Sequence, residues 1–231
     1  MTEYIHVFWL RSIGREGTAS DKQMRRTLAS FEAAAGSVLP TWAYRLVGAG
    51  HTTRHLGQAD HHLEPPFHSR LSDPSAPDLI TFTVTPDLDD ARFLHRRTAD
   101  AGAAGDFTIA GSGLYTTLQD WSGADDEGGA FAEAIQFGTY DTGSPGDEWT
   151  LADYYADVRM PAFSRQPGAV RARRLTTACA APGRTAVLYE FSSLEARLTN
   201  FEPLEGQEVA ARAISLTRHR ALSPSIGVRF R

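Results

Sequence analysis

The chain has 231 residues, 42% of them hydrophobic, with 23 basic against 28 acidic side chains and a formal net charge of −5 at neutral pH. That length suits one large domain or two small ones, and either can bury enough apolar surface to fold unaided. The charge is spread without a long run of either sign, which argues against nonspecific attraction to nucleic acid or to an anionic membrane and favours a small, neutral or weakly polar partner.

The single cysteine, Cys179, excludes an intrachain disulfide and a cysteine-rich zinc site, and it is consistent with a reducing cytoplasm. The opening MTEYIHVFWLRS has no basic stretch before its apolar run. The run is too short for a membrane span and no small-residue cleavage site follows it. The expectation is a soluble, cytoplasmic protein.

In chain order, the first half predicts a strand over 4–11, a helix over 21–35, an irregular middle, a strand over 79–85, a helix over 87–101 and a strand over 107–118. Alternation in the first strand puts Tyr4, His6, Phe8 and Leu10 on one face and Ile5, Val7 and Trp9 on the other. His6 is therefore either a hydrogen-bonded core histidine or a base. Asp87, Asp89 and Asp90 fall in the first turn of a helix, where negative charge suits the dipole. The Gly111 to Gly113 triplet lacks the Lys-Ser/Thr of a phosphate loop and reads as a bulge or turn.

Five of the eight histidines lie in the stretch HTTRHLGQADHHLEPPFH, as His51, His55, His61, His62 and His68. Weak apolar periodicity and two consecutive prolines predict a long loop, and such loops are often functional. His51 and His55 share a face if a helical turn forms, and His61, His62 and Glu64 offer nitrogen and oxygen ligands. None of the stricter zinc spacings is present, so the stretch reads as a surface or lid loop without a tightly held metal.

The run SGADDEGG, rich in glycine and acid, reads as a solvated linker. It divides the chain into 1–121, a linker over 122–132, and 133–231. The second half predicts a strand over 134–140, a helix over 147–159 stopped by Met160-Pro161, strands over 169–178 and 184–191, a helix from 194 to 197 and beyond, and a strand over 216–222. This β-α-β-β-α-β order is the ferredoxin-like unit, of which the first half is a looser copy. An open sheet with helices on one face needs a cover for the other, so an α+β fold of two ferredoxin-like repeats with antiparallel sheets packed face to face is expected.

Leu151, Tyr154, Tyr155, Val158 and Ala162 recur at helical spacing as a packing stripe, and Tyr155 and Arg159 stand four apart. On the next strand Arg171 and Arg173 face one way and Arg174 the other. A buried guanidinium cannot shed its charge and must find an anion. For Arg174 that anion is either a structural partner, Glu190 or Glu148, or a substrate enolate, phenolate or carboxylate. Trp9, Trp42, Trp121 and Trp149 are core residues or walls of a flat apolar pocket.

The phrase DYYADVRMPAFSRQPGAVRARRL resembles the dimeric α+β barrel superfamily, in which a short His-x-Pro follows the helix and a Pro-Gly precedes a strand carrying basic residues. Here Arg159 stands where those relatives often have histidine. The resemblance implies that the two sheets close an intrachain α+β barrel. It also implies one of the superfamily's activities, among them cofactor-free monooxygenases and cyclases of aromatic polyketide pathways, isomerases, dehydratases and haem enzymes. Two-repeat members of about this length are similar to the oxygenases that open a ring of angucycline-type polyketides.

That narrower likeness implies an oxygenase of antibiotic biosynthesis acting on a small aromatic substrate, with O2 as cosubstrate and no tightly bound cofactor or metal. Reduced flavin is left open as a diffusible cosubstrate. In this reading His51 or His55 is the base, Arg159 or Arg174 holds the phenolate, and Trp9, Trp42, Tyr154, Tyr155 and His62 bind the substrate. No nucleic acid or membrane partner is expected, and the chain is a monomer or a homodimer. The alternatives are a cyclase or isomerase using the same pocket, a haem enzyme with His6, His51, His55 or His219 as axial ligand, and a non-catalytic aromatic-ligand binder.

Overall fold

The computed structural model describes residues 3–14, 19–36, 40–49, 76–105, 107–128, 131–205, 215–220 and 222–230. The first half builds β1 (Tyr4–Arg11), α1 (Asp21–Ala35), β2 (Thr41–Ala49), β3 (Leu79–Thr85), α2 (Leu88–Ala103) and β4 (Thr108–Ser122). In the second half β5 (Ala134–Thr142) leads into α3 (Pro145–Tyr154), a π turn (Tyr155–Arg159) and α4 (Met160–Ser164). Strands β6 (Ala169–Thr177) and β7 (Thr185–Phe191) follow, then α5 (Leu194–Ala196), a second π turn (Arg197–Phe201), α6 (Glu202–Glu205), β8 (Thr217–His219) and β9 (Ser225–Arg229).

Each half has the strand order of a ferredoxin-like sheet: β4-β1-β3-β2 in the first and β9-β5-β7-β6 in the second. The halves join at both edges. The 15-residue strand β4 serves two neighbours, pairing with β1 from Thr108 to Thr116 and with β6 from Tyr115 to Ser122. Across the barrel β9 pairs with β2, from Tyr44↔Arg229 to Ala49↔Ser225. The fourth strand of each half thus extends onto the second strand of the other, and eight antiparallel strands close with no open edge. This is the expected intrachain α+β barrel.

Strand alternation decides what fills it. Ile5, Val7, Trp9, Tyr44, Leu46, Ile80, Phe82, Tyr115, Ile135, Phe137, Leu175 and Leu188 point inward as one packed cluster. Burying each large apolar side chain contributes about 2 kcal/mol. The other parity faces helices: Phe8 and Leu10 meet Met24, Leu28, Phe31 and Leu94 outside the first half. Outside the second, Tyr140, Ala172, Val187, Tyr189 and Phe191 meet Leu151, Met160, Phe163 and Phe201.

Three expectations need correction. The irregular middle contains β2, whose Tyr44 and Leu46 point inward while Ala43 faces the helices. Met160-Pro161 does not stop the helix, which continues through Ser164. Proline lacks an N–H and its ring crowds the carbonyl four residues back. The π turn accommodates this by shifting the Met160 N–H onto the Tyr155 carbonyl, five residues away. The extra residue rotates the helix, so Val158 is exposed and Arg159 is buried. Finally, the described residues of the segment 216–222 supply the short β8 alone, and the barrel closes through β9.

The glycine-rich connection after β4 is tied to the second half. Gly123 N–H donates to the Val170 carbonyl at 2.7 Å, Asp125 N–H to Ala169 at 2.8 Å, and Gly168 N–H to the Asp125 carboxylate at 3.0 Å. A side chain at Gly123 would collide with the Ala169 carbonyl.

Candidate functional site

The polar residues of the second half gather between its sheet and α3, outside the barrel. On β5 the outward positions are Gln136, Gly138 and Tyr140, because Ile135 and Phe137 point inward. On β6 Arg174 is outward, and its register partners across the sheet are Gln119 on β4 and Val187 on β7, with Gly138 next on β5. Directly opposed residues share a face. Gln119, Arg174, Val187 and Gly138 therefore form one row under the helix, and the row ends in a position without a side chain. Among the described residues a Cβ at Gly138 would meet Ser223 Oγ alone, at 3.8 Å.

Arg174 is the unusual member of this row. It is 6% exposed, and its Nη1 donates to Gln119 Oε1 at 3.3 Å. Its Nε is buried with no hydrogen-bond partner, and no carboxylate among the described residues pairs with it. Beside it the Tyr140 hydroxyl is also buried, near Arg174 and Tyr155 without reaching hydrogen-bond geometry with either. Burial raises the Tyr140 and Tyr155 hydroxyls above the ordinary phenol range, so both stay neutral donors. The Tyr140 and Tyr155 rings stack at 6.4 Å, and Tyr154 meets Tyr155 edge-on at 5.8 Å.

Arg159 reaches the same layer from the π turn. Its Nε donates to the Tyr189 hydroxyl at 3.2 Å, and its guanidinium lies 4.5 Å from the Phe201 ring centre and 5.5 Å from that of Tyr189. Fully buried Arg197 donates to Gln136 Oε1 from Nε at 3.0 Å and from Nη2 at 2.7 Å. At the margin His219 stands opposite Tyr140 in the β5–β8 ladder, ring centres 6.1 Å apart, with Nδ1 3.0 Å from Ser223 Oγ.

The two acids expected as partners for Arg174 are engaged elsewhere. Glu190 points into the barrel, where it accepts from Arg173 at 2.6 Å and from the Ala132 N–H at 3.1 Å. Arg173 also lies 4.3 Å from the Phe131 ring centre, and both partners of this pair are almost fully buried. Glu148 faces Arg184 at 3.8 Å.

The structure brings Tyr154, Tyr155, Arg159 and Arg174 into one layer, with Trp121 packed against the same cluster, and sets Trp9 and Trp42 apart from it. Trp9 is fully buried inside the barrel, its indole N–H donating to Ser225 Oγ at 2.9 Å. Trp42 packs on Phe131 at 4.6 Å against the barrel cluster. His51, His55 and His62, with His61 and His68, lie outside the described residues. His6 faces α2, with Nε2 3.3 Å from His95 Nδ1, and burial followed by the neighbouring His95 pushes its pKa down to about 3. Gln119, Tyr140 and Ser223 were missed from sequence. Alternation places Tyr140 outward, but its neighbour Arg174 depends on a register that no single strand encodes.

Among the described residues no group of three or more His, Cys, Asp or Glu is arranged to hold a metal ion. The middle of the helix–sheet layer is filled by the rings of Phe163, Tyr189, Phe191 and Phe201, with centres 4.7 to 5.8 Å apart. No described helix is long and apolar enough to cross a membrane.

No family model and no curated protein sequence matches the chain. Solved structures resemble it. A candidate chlorite dismutase superposes with a TM-score of 0.62 at 12% identity, covering 99% of this chain and 95% of its own. An anthrone oxidase-like protein does so with 0.54 at 13%, over 98% and 90%. A candidate monooxygenase from Fusobacterium nucleatum gives 0.53 at 8%, over 100% and 92%. At these identities the likeness is one of fold, a closed antiparallel α+β barrel.

Proposed function

We propose that this single-chain α+β barrel is an oxygenase that binds a small aromatic substrate as its phenolate beside Arg174 and reacts the electron-rich anion with O2. The carrying observation is the buried Arg174 guanidinium, with an orphaned Nε, an orphaned Tyr140 hydroxyl beside it, and no carboxylate among the described residues to neutralise it. A phenolate oxygen would satisfy both donors at once. Fixed donors aimed at a developing oxyanion in a dry layer lower the barrier to forming it. Tyr154 and Tyr155 would wall the ring, and His51 or His55 remains the proposed base. The names carried by two of the fold's neighbours, a candidate monooxygenase and an anthrone oxidase-like protein, support the reaction class.

Electron counting bounds the chemistry. Oxidising a ring methylene to a carbonyl, with one oxygen atom retained and the other leaving as water, balances against O2 without a reductant. Inserting one oxygen atom of O2 beside a ring ketone, to give a lactone and water, needs two further electrons, which reduced flavin as a diffusible cosubstrate would supply, and hydrolysis of that lactone by water would then open the ring. A tightly bound metal or cofactor has no part in this proposal, and the layer's packed rings argue against the haem alternative. A cyclase or a binding protein would use the same anion site without consuming oxygen. The test is oxygen uptake on polyphenols: turnover by the wild type with its loss in Arg174→Met supports the oxygenase, while tight binding without uptake favours the non-oxidative readings.

A further inference from the structure

The two helix layers lie on opposite sides of the barrel, and their solvent faces differ in charge. Over the second half Arg159 and Arg197 are buried, so among the described side chains of 145–164 and 194–201 the charges that reach solvent are all acidic: Asp147, Glu148, Asp153, Asp157 and Glu195. Arg184, 3.8 Å from Glu148, offsets one of them. The same helices hold three large apolar side chains out in water, Trp149 at 74% exposed, Leu198 at 46% and Val158 at 43%. Over the first half, α2 exposes Phe93 (59%) among Arg92, Arg96 and Arg97, with the Arg97 guanidinium 5.4 Å from the Phe93 ring centre. The acids of α2, Asp89, Asp90 and Asp100, stand towards its ends, where Asp89 meets Arg92 at 3.3 Å. Neither exposed ring is needed to hold its helix down, because Leu151 and Leu94 already pin the inner sides to the sheets.

We propose that these two faces are the halves of one interface, through which copies of this chain associate head to tail, the acidic Trp149 face of one copy docking on the basic Phe93 face of the next. Like charges repel, which disfavours a two-fold pairing of either face with itself. Because the faces lie on opposite sides of one barrel, two copies cannot make both contacts reciprocally, so the association runs on as a ring or a filament. Asp153 and Asp157 are four residues apart, as are Arg92 and Arg96, so each helix offers its charges about one turn apart. Trp149 and Phe93 supply the apolar centre, and an arginine stacked on an indole face adds a cation–π contact.

Sedimentation velocity tests this pairing. The weight-average mass of the wild type should rise with protein concentration and fall between about 0.01 and 0.15 M salt, as the Debye length shortens from roughly 30 to 8 Å. All four positions altered are exposed, so Trp149→Ser/Asp153→Ser and Phe93→Ser/Arg96→Ser should each fold and stay monomeric where the wild type associates. Mixed in equal amounts, the two variants should form a 1:1 complex that grows no further, because each keeps one working face. A wild type that stays monomeric at low salt, variants that associate as the wild type does, or a mixture that either stays monomeric or grows beyond two chains would overturn the proposal.

Discussion

At the scale of single residues, the barrel sorts its charges by face. Arg173 and Arg174 are neighbours in sequence, yet Arg173 meets Glu190 inside the barrel, while outside it Arg174 meets neutral groups alone among the described residues. A buried ion pair and a buried unneutralised cation differ in consequence, because the second stays costly until an anion arrives. His6 makes the opposite case. Its pKa of about 3, below the ordinary 6.5, means that the folded state prefers it neutral. The resulting stability is fully present above the unfolded pKa and is lost as pH falls from 6.5 towards 3, up to about 5 kcal/mol at the acid end. Chemical denaturation across that range should show a steep acid loss that His6→Leu flattens. An unchanged slope in the variant would place the acid sensitivity elsewhere.

At the scale of elements, alternation alone separated the two faces of β1 and the two faces of the Arg171 to Arg174 run, because period two is written in each strand's own sequence. The π turn was not legible, since a 3.6-residue period places Val158 on the buried stripe and the added residue substitutes Arg159 for it. Pairing partners were not legible either. Glu190 was expected near Arg174, but the bulge between Ala169 and Arg171 and the β6–β7 register set it beside Arg173. Strand β2 was hidden because its arginine and glycine dilute the apolar alternation of Tyr44 and Leu46. Gly138 supplies a test at this scale, as its vacancy lies at the end of the Arg174 row with room around it. Gly138→Leu should fold with a thermal midpoint within a few degrees of wild type and lose phenolate binding by tenfold or more. Retained binding would mean that the ligand does not use that space.

At the scale of the whole molecule, closure comes from strands exchanged between the halves. Pairings β4–β6 and β2–β9 leave neither half with a complete edge of its own, and the inward faces of both sheets share one core. A fragment of residues 1–128 would therefore expose one apolar sheet face and an unpaired β2 edge. It should self-associate or stay unfolded in isolation, and co-expression with the remainder should restore a folded complex, as read by size-exclusion chromatography with circular dichroism. A stable, monomeric fragment would show that the halves are independent. The two-repeat order was readable from sequence, because it needs only element sequence and the bare face each sheet would leave. The cross-pairing was supplied by the structure.

The most direct test of an anion-binding oxygenase is oxygen consumption by wild type and Arg174→Met on a tricyclic phenol and on its O-methyl ether. A phenolate held by Arg174 requires uptake with the ionisable phenol alone and a loss of roughly ten- to a hundredfold in the variant, the range for a lost charge-assisted contact. Equal uptake from the ether, or undiminished uptake by Arg174→Met, would contradict it.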